Sequence, residues 1–256
     1  MLELMGVSKY FGGLAALRRV STKIQRDEIV GLIGPNGAGK TTLFNVITGF
    51  YKPSEGHIVY NSKDITRLKP FEVAMCGITR TYQQNNLFYD FTVEGNILIG
   101  SHIRPKSGIF EDLIGSSSAT EKRRVIMQKA HGILDLFQMT GFKDELAKNL
   151  PHGFQRMLGI GIALASEPEI LLLDEPFSGM IFAETESMMD HIRRIHEEKG
   201  IGILLVEHDM KAVMGLCGRI IVLNFGEKIA EGAPGEIREN PAVIEAYLGV
   251  EDVVQH

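Results

Sequence analysis

Residues 34 to 42 read Gly-Pro-Asn-Gly-Ala-Gly-Lys-Thr-Thr, and much later in the chain the apolar run Ile170 to Leu173 ends in Asp174-Glu175. The first segment has the residue types that hold a polyphosphate. Gly34, Gly37 and Gly39 carry no Cβ, so a backbone running through Pro35, Asn36 and Ala38 can curl tightly and aim successive N–H groups at phosphate oxygens. A helix opening at its end adds the positive pole of its dipole. Lys40 then reaches β- and γ-phosphates as a mobile cation, the Thr41 hydroxyl is placed to ligate a bridging Mg²⁺, and Thr42 offers a further donor. The flanks agree with this reading. Ile29 to Ile33 is a strand-like apolar run, and Leu43, Val46 and Ile47 have helical spacing, which is the strand, loop and helix setting that a P-loop requires.

The acidic pair divides two tasks. Asp174, closing a strand, is expected to hold the metal shell, and Glu175 is expected to polarise a water against the γ-phosphate. His208 follows another buried-type strand, Ile203 to Val206 and then Glu207, and is placed to orient that water. A histidine at a strand end is weak evidence alone; its company with the P-loop and Asp174-Glu175 gives it weight. Gln83, in Thr-Tyr-Gln-Gln, is a candidate Mg²⁺ ligand at the start of a helical region.

The elements that must position these groups are legible in outline. Strand-like segments lie near Leu2–Val7, Val20–Ile24, Ile29–Ile33, His57–Tyr60, Ile170–Leu173, Ile203–Val206, Ile220–Leu223 and Lys228–Ala230. The fully apolar ones read as parallel strands buried on both faces, the alternating ones as an antiparallel layer. Between Phe88 and Glu167 the pattern turns helical, around Val93–Ser101, Glu121–Met139 and Gly153–Ala165, with a loop-like connection from Arg104 to Thr120. A polar helix is expected over 182–199, stopped by Gly200. The fold class that follows is α/β: a P-loop NTPase core with a mixed sheet, an antiparallel β layer and an inserted α-helical subdomain. The expected division is 1–87 with 168–256 for the core and 88–167 for the insert.

Composition narrows the partners. The 256 residues carry a net charge of −5 and no basic tract, so no electrostatic nucleic-acid surface is expected. The longest apolar runs are strand-sized, well short of the roughly 18 residues that mark a membrane span, so any membrane role is peripheral. Met1 to Gly6 has no basic n-region or apolar h-region, and export is not expected. Cys76 and Cys217 sit in unrelated contexts that suit free thiols in a reducing compartment.

In this order of parts the chain resembles an ATP-binding cassette (ABC) ATPase over essentially its whole length. The resemblance implies ATP and Mg²⁺ as ligands, an adenine-stacking aromatic at Phe11 with Tyr10 as its neighbour and substitute, and a magnesium-sensing glutamine at Gln83. It also implies a signature segment at Leu150–Gln155 and a switch histidine at His208. Tyr-Phe-Gly-Gly-Leu-Ala-Ala-Leu near the start, Thr-Gly-Phe-Tyr-Lys-Pro after the P-loop helix and Ala-Tyr-Leu-Gly near the end are similar to the branched-chain amino acid importer subgroup. That implies a cytoplasmic ATPase, peripheral on the inner face of the cell membrane, working with integral membrane subunits and an extracytoplasmic binding protein. The aromatics of Tyr82 to Asp90 are the expected docking groove or, equally, ordinary packing. ATPases of lipopolysaccharide export or of amide and urea transport, and a soluble non-transport cassette, remain the alternatives.

One segment departs from the family. The signature Leu-Ser-Gly-Gly-Gln is matched by Leu150, Pro151, His152, Gly153 and Phe154, followed by Gln155. Pro151 has neither hydroxyl nor N–H, and Phe154 replaces an amide expected to support the turn. Ile181 and Phe182 stand after Ser178-Gly179-Met180, where the family commonly places Asp or Asn. The half that binds this chain's own ATP is intact and the half that completes a partner's site is altered. A heterodimer with a second cassette is therefore expected over a homodimer.

Overall fold

The computed structural model of the chain describes residues 1–81, 87–101 and 117–251. Its strands are β1 (Leu2–Phe11), β2 (Leu14–Ile24), β3 (Ile29–Ile33), β4 (Glu55–Tyr60), β5 (Lys63–Asp64), β6 (Ile78–Arg80), β7 (Ile170–Asp174), β8 (Gly202–Val206), β9 (Arg219–Asn224) and β10 (Glu227–Gly232). Its α-helices are α1 (Lys40–Ile47), α2 (Pro70–Cys76), α3 (Val93–Ser101), α4 (Ser117–Leu136), α5 (His152–Ala165), α6 (Phe182–Lys199), α7 (Met210–Leu216), α8 (Pro234–Glu239) and α9 (Pro241–Glu251).

Two sheets form. One is antiparallel with strand order β2-β1-β4-β5; the other runs β10-β9-β3-β8-β7-β6. In the second, β9, β3, β8, β7 and β6 are parallel and β10 returns antiparallel along β9. Every residue of β3, β7 and β8 is buried, and the alternation of a strand explains how. Val30, Leu32, Leu172 and Leu204 enter a cluster with the antiparallel sheet and α1. Ile33, Leu171, Leu173, Ile203 and Leu205 enter another with α3, α5 and α6. The unbroken apolar runs are thus strands separating two cores, each buried Leu or Ile stabilising the fold by roughly 1.5–3 kcal/mol.

Among the described residues no strand lies between β6 and β7. Here α3 and α5 cross closely: a Cβ on Gly100 would lie 2.2 Å from the Ile162 carbonyl oxygen. Gly161 on α5 faces Ile133, Ile97 and Phe137, which accounts for a glycine in a helix interior. α6 ends where expected, with Gly200 at φ 61°. Most of the 104–120 connection lies outside the described residues. No helix of the described residues is long and apolar enough to cross a membrane.

Candidate active site

β3 delivers the chain into the 34–39 loop, and α1 begins at Lys40. The loop's glycines are required by conformation and by space. Gly34 has φ 151° and its Cβ would meet the Leu223 carbonyl oxygen at 2.1 Å; Gly39 has φ 104° and would meet that of Ala16 at 2.6 Å. Both lie in the left-handed half of φ space, where L side chains are strained. The turn between β9 and β10 is tied in as well, because Gly226 N–H donates to the Ala38 carbonyl at 3.0 Å and Arg18 N–H to the Gly226 carbonyl at 2.8 Å.

Lys40 is buried and folds back over its own loop, donating from Nζ to the carbonyls of Gly34 at 2.7 Å and Pro35 at 3.0 Å. Desolvation pushes its pKa down, while the negative charges of Glu175 and Asp174 act to raise it. Lys40 and Glu175 therefore face one space, while Asp174 acts on the ammonium from a buried position behind it.

That space is a cleft of about 430 Å³ lined by Phe11, Asn36 to Thr42, Glu175 and His208. Leu14, Ala15, Ala16 and Arg18 of β2 and Phe225 complete it. Phe11, and not its neighbour Tyr10, faces the cleft; its ring meets Tyr51 edge-on at 5.1 Å, with Lys9 Nζ 5.1 Å above it. Phe225 is 78 % exposed and has φ 46°. It reaches the cleft from a turn remote in sequence, and nothing in its local pattern marked it.

Glu175 and His208 meet across the ends of β7 and β8. His208 Nε2 lies 2.6 Å from Glu175 Oε1, and the carboxylate acceptor assigns the N–H to Nε2. Glu175 itself has φ 49°, a conformation costing a non-glycine residue roughly 1–2 kcal/mol, and its N–H is held by the Val206 carbonyl at 2.9 Å. The residue securing this arrangement is Glu207. Its buried carboxylate accepts from Phe177 N–H at 2.7 Å and from His208 N–H at 3.0 Å, so one side chain ties the segment after Glu175 to His208. Burial pushes its pKa up, the backbone N–H groups of Phe177, His208 and Asp209 pull it down, and the nearby charge of Glu175 adds to the upward push. A buried strand ending in a carboxylate directly before the histidine was the signal available in the sequence.

Asp174, the last residue of β7, is buried and paired with Arg80, Nη2 to Oδ2 at 2.5 Å. No local pattern in the sequence marks Arg80 for this pairing. Gln83 lies outside the described residues. Among those described, no group of three His, Cys, Asp or Glu side chains is suited to a metal ion. Of the expected Mg²⁺ ligands, Thr41 lines the cleft and Asp174 is held in its pair with Arg80.

The signature segment lies apart from this cleft, at the start of α5. Pro151 is the N-cap, without a side-chain cap, and both Pro151 and His152 are exposed while Gly153 is buried against Glu184. Phe154 is taken up by internal packing, its ring 4.9 Å from that of Phe142. The amide support expected to be missing is supplied one residue later, since Gln155 Nε2 donates to the carbonyl of Leu150 at 3.0 Å. Ile181 and Phe182 are 68 % and 76 % exposed. Of the expected docking aromatics, Phe88 and Tyr89 are exposed, and 82–86 lie outside the described residues.

Comparison with known proteins agrees with this geometry. Residues 17–178 match the family model for ABC transporters, and residues 227–253 match that for the branched-chain amino acid ATP-binding cassette transporter. The chain is 41 % identical over 249 residues to the high-affinity branched-chain amino acid transport ATP-binding protein LivG of Salmonella typhimurium, covering 97 % of this chain and 98 % of that one. The ADP conformation of MJ1267, an ATP-binding cassette of an ABC transporter, superposes with a TM-score of 0.84 at 31 % identity, covering 97 % and 98 % of the two chains. The dimeric post-hydrolysis cassette MJ0796, bound to ADP and Pi, gives 0.76 at 27 % identity over 91 % and 99 %. A P-loop, a strand-end glutamate and a histidine gathered on one cleft, within a chain matched from end to end by such cassettes, make this protein a member of the ABC transporter family.

Proposed function

We propose that this chain is the ATP-hydrolysing subunit of an importer for branched-chain amino acids. One observation carries the hydrolytic reading: Glu175 and His208, delivered by neighbouring parallel strands, meet at 2.6 Å on the wall of the P-loop cleft. Glu175 accepts the proton of the attacking water, and His208 holds the carboxylate toward the cleft through its Nε2–H. Lys40 turns from the Gly34 and Pro35 carbonyls to the phosphates, exchanging neutral acceptors for charged ones. Phe11 offers its face to the adenine. Thr41 and Asp174 would hold Mg²⁺, together with Gln83 by the family resemblance, and the ion would supply neutralisation of the phosphate charge.

The substrate assignment is supported by the names of the relatives and by the C-terminal match over 227–253. In this reading ATP draws two cassettes together, hydrolysis releases them, and exposed Phe88, Tyr89 and Phe91 contact integral membrane subunits at the inner face of the membrane. An extracytoplasmic binding protein delivers the amino acid. Pro151 at the exposed tip of α5, with no hydroxyl or N–H to offer a partner's phosphate, favours an asymmetric pair with a sister cassette over a homodimer.

Reconstitution in lipid vesicles with the membrane subunits, sister cassette and binding protein tests this. Leucine-loaded binding protein is expected to stimulate ATP hydrolysis, and stimulation by urea or short amides alone would contradict the substrate. Placing Glu175→Gln in this chain, or its counterpart in the sister, is expected to leave unequal residual rates; equal rates would contradict asymmetry.

A further inference from the structure

Arg80 ends β6, its side chain only 6 % exposed, and its guanidinium is shared between two elements that carry metal-side groups. Nη2 donates to Asp174 Oδ2 at 2.5 Å, and Nη1 donates to Asn45 Oδ1 at 2.6 Å. Its central carbon lies 5.3 Å from the centre of the Phe44 ring, which fixes the plane of the fork. Asn45 is on α1, one helical turn beyond Thr41 and on the same face. Beside Arg80, Thr81 N–H donates to the Leu172 carbonyl at 2.9 Å and Thr81 Oγ1 accepts from Asp174 N–H at 3.3 Å, so side chain and main chain of Asp174 are both held from the end of β6. A lysine could not do this, because a point charge lacks the planar fork that grips two acceptors in fixed directions.

We propose that Arg80 is a positioning residue for the metal-side groups, fixing the Asp174 carboxylate relative to the Thr41 hydroxyl so that a divalent cation arriving with nucleotide meets a preset pair of oxygens. The proposal rests on the nucleotide reading given above and adds to it the residue that builds the metal side. A buried ion pair is a weak source of net stability, because removing both charges from water offsets much of their attraction. This pair is better explained by what it orients.

The test is binding of a fluorescent ATP analogue to the full chain, first stripped of metal with chelator and then titrated with Mg²⁺. Arg80→Met removes the fork, Arg80→Lys keeps the charge alone, and Asn45→Ala releases the α1 end while leaving the buried pair intact. Metal-free binding is expected to be unchanged in all three. The Mg²⁺ concentration at half-saturation is expected to rise about 10- to 100-fold in Arg80→Met, as for other residues that orient metal ligands, to recover partly in Arg80→Lys and to rise less in Asn45→Ala. Equal magnesium requirements in all proteins would overturn the proposal, and so would a parallel loss of metal-free binding, which assigns Arg80 to the fold alone. If Arg80→Met does not fold, Asn45→Ala decides the matter. Failure of the unaltered chain to bind the analogue at any Mg²⁺ concentration would instead overturn the nucleotide reading itself.

Discussion

Substituting Glu207 by Gln probes how the proposed water-activating pair, Glu175 and His208, is held. The carboxylate accepts from Phe177 N–H at 2.7 Å on one oxygen and from His208 N–H at 3.0 Å on the other, in a buried site. An amide keeps one acceptor and turns an NH₂ toward the other N–H. One charge-assisted bond worth about 1.5–3 kcal/mol is lost and one buried donor is left unpaired at about 1–3 kcal/mol, partly offset because a buried charge disappears. A net loss of about 2 kcal/mol in stability is expected near neutral pH. The pH dependence has a definite sign. Burial raises the Glu207 pKa in the folded chain, so the native state binds the extra proton, and wild-type stability declines as pH rises from about 4.3 through the raised value. Glutamine has no such decline, so the variant's deficit is larger at acid pH and smaller above the window. Freed of the tether at Phe177, Glu175 can relax from its positive φ, and a shift of about 1 Å there is expected to lower kcat roughly 100-fold with nucleotide affinity unchanged. Denaturant unfolding across pH, paired with hydrolysis and nucleotide-binding assays, reads all three. A variant with wild-type kcat, or a deficit that does not change with pH, would refute the reasoning.

Other perturbations read other parts of the molecule. Gly100→Ala places a methyl 2.2 Å from the Ile162 carbonyl oxygen and is expected to destabilise the chain by about 1–3 kcal/mol in denaturant titrations, by forcing α3 and α5 apart. Lys40→Ala removes the one ammonium that lines the P-loop cleft among the described residues; losing a charge-assisted hydrogen bond of about 1.5–3 kcal/mol should weaken ATP binding roughly 10- to 100-fold by calorimetry. Burial pushes the Cys217 thiol up to about 12 while Cys76 is part-exposed, so iodoacetamide at mildly alkaline pH should alkylate Cys76 in the native chain, and both thiols only in denaturant, as read by peptide mass.

What the sequence made legible follows from locality. β3, β7 and β8 were readable because a strand buried on both faces must be apolar throughout, and the P-loop because its chemistry is written in nine consecutive residues, 34 to 42. Residues 182–199 were readable as a helix from its spacing and its glycine stop. β5, with two residues, and β6, with three, are too short for a period to emerge. α2, α7 and α8 are one to two turns long and are defined by their ends, such as the Asp209 side chain accepting from Lys211 and Ala212 N–H groups, more than by any apolar stripe. The site was legible where it is contiguous and hidden where it is assembled. Arg80 and Phe225 act through partners distant in the chain, which no local pattern reveals, whereas Glu207 follows a buried strand directly before His208. The role expected of a missing amide at Phe154 shifted for the same reason: its neighbour Gln155 makes the bond, and Phe154 is spent on Phe142.

Glu175 carries the proposed chemistry, and the decisive measurement is single-turnover ATP hydrolysis by the assembled transporter carrying Glu175→Gln in this chain, with bound ATP quantified in parallel. Replacing the proposed general base by an amide of the same shape is expected to slow hydrolysis at this site by about 10²- to 10⁴-fold while ATP stays bound. Hydrolysis at the unaltered rate at this site, with ATP bound equally well, would contradict the claim that the Glu175–His208 pair over the P-loop performs the chemistry.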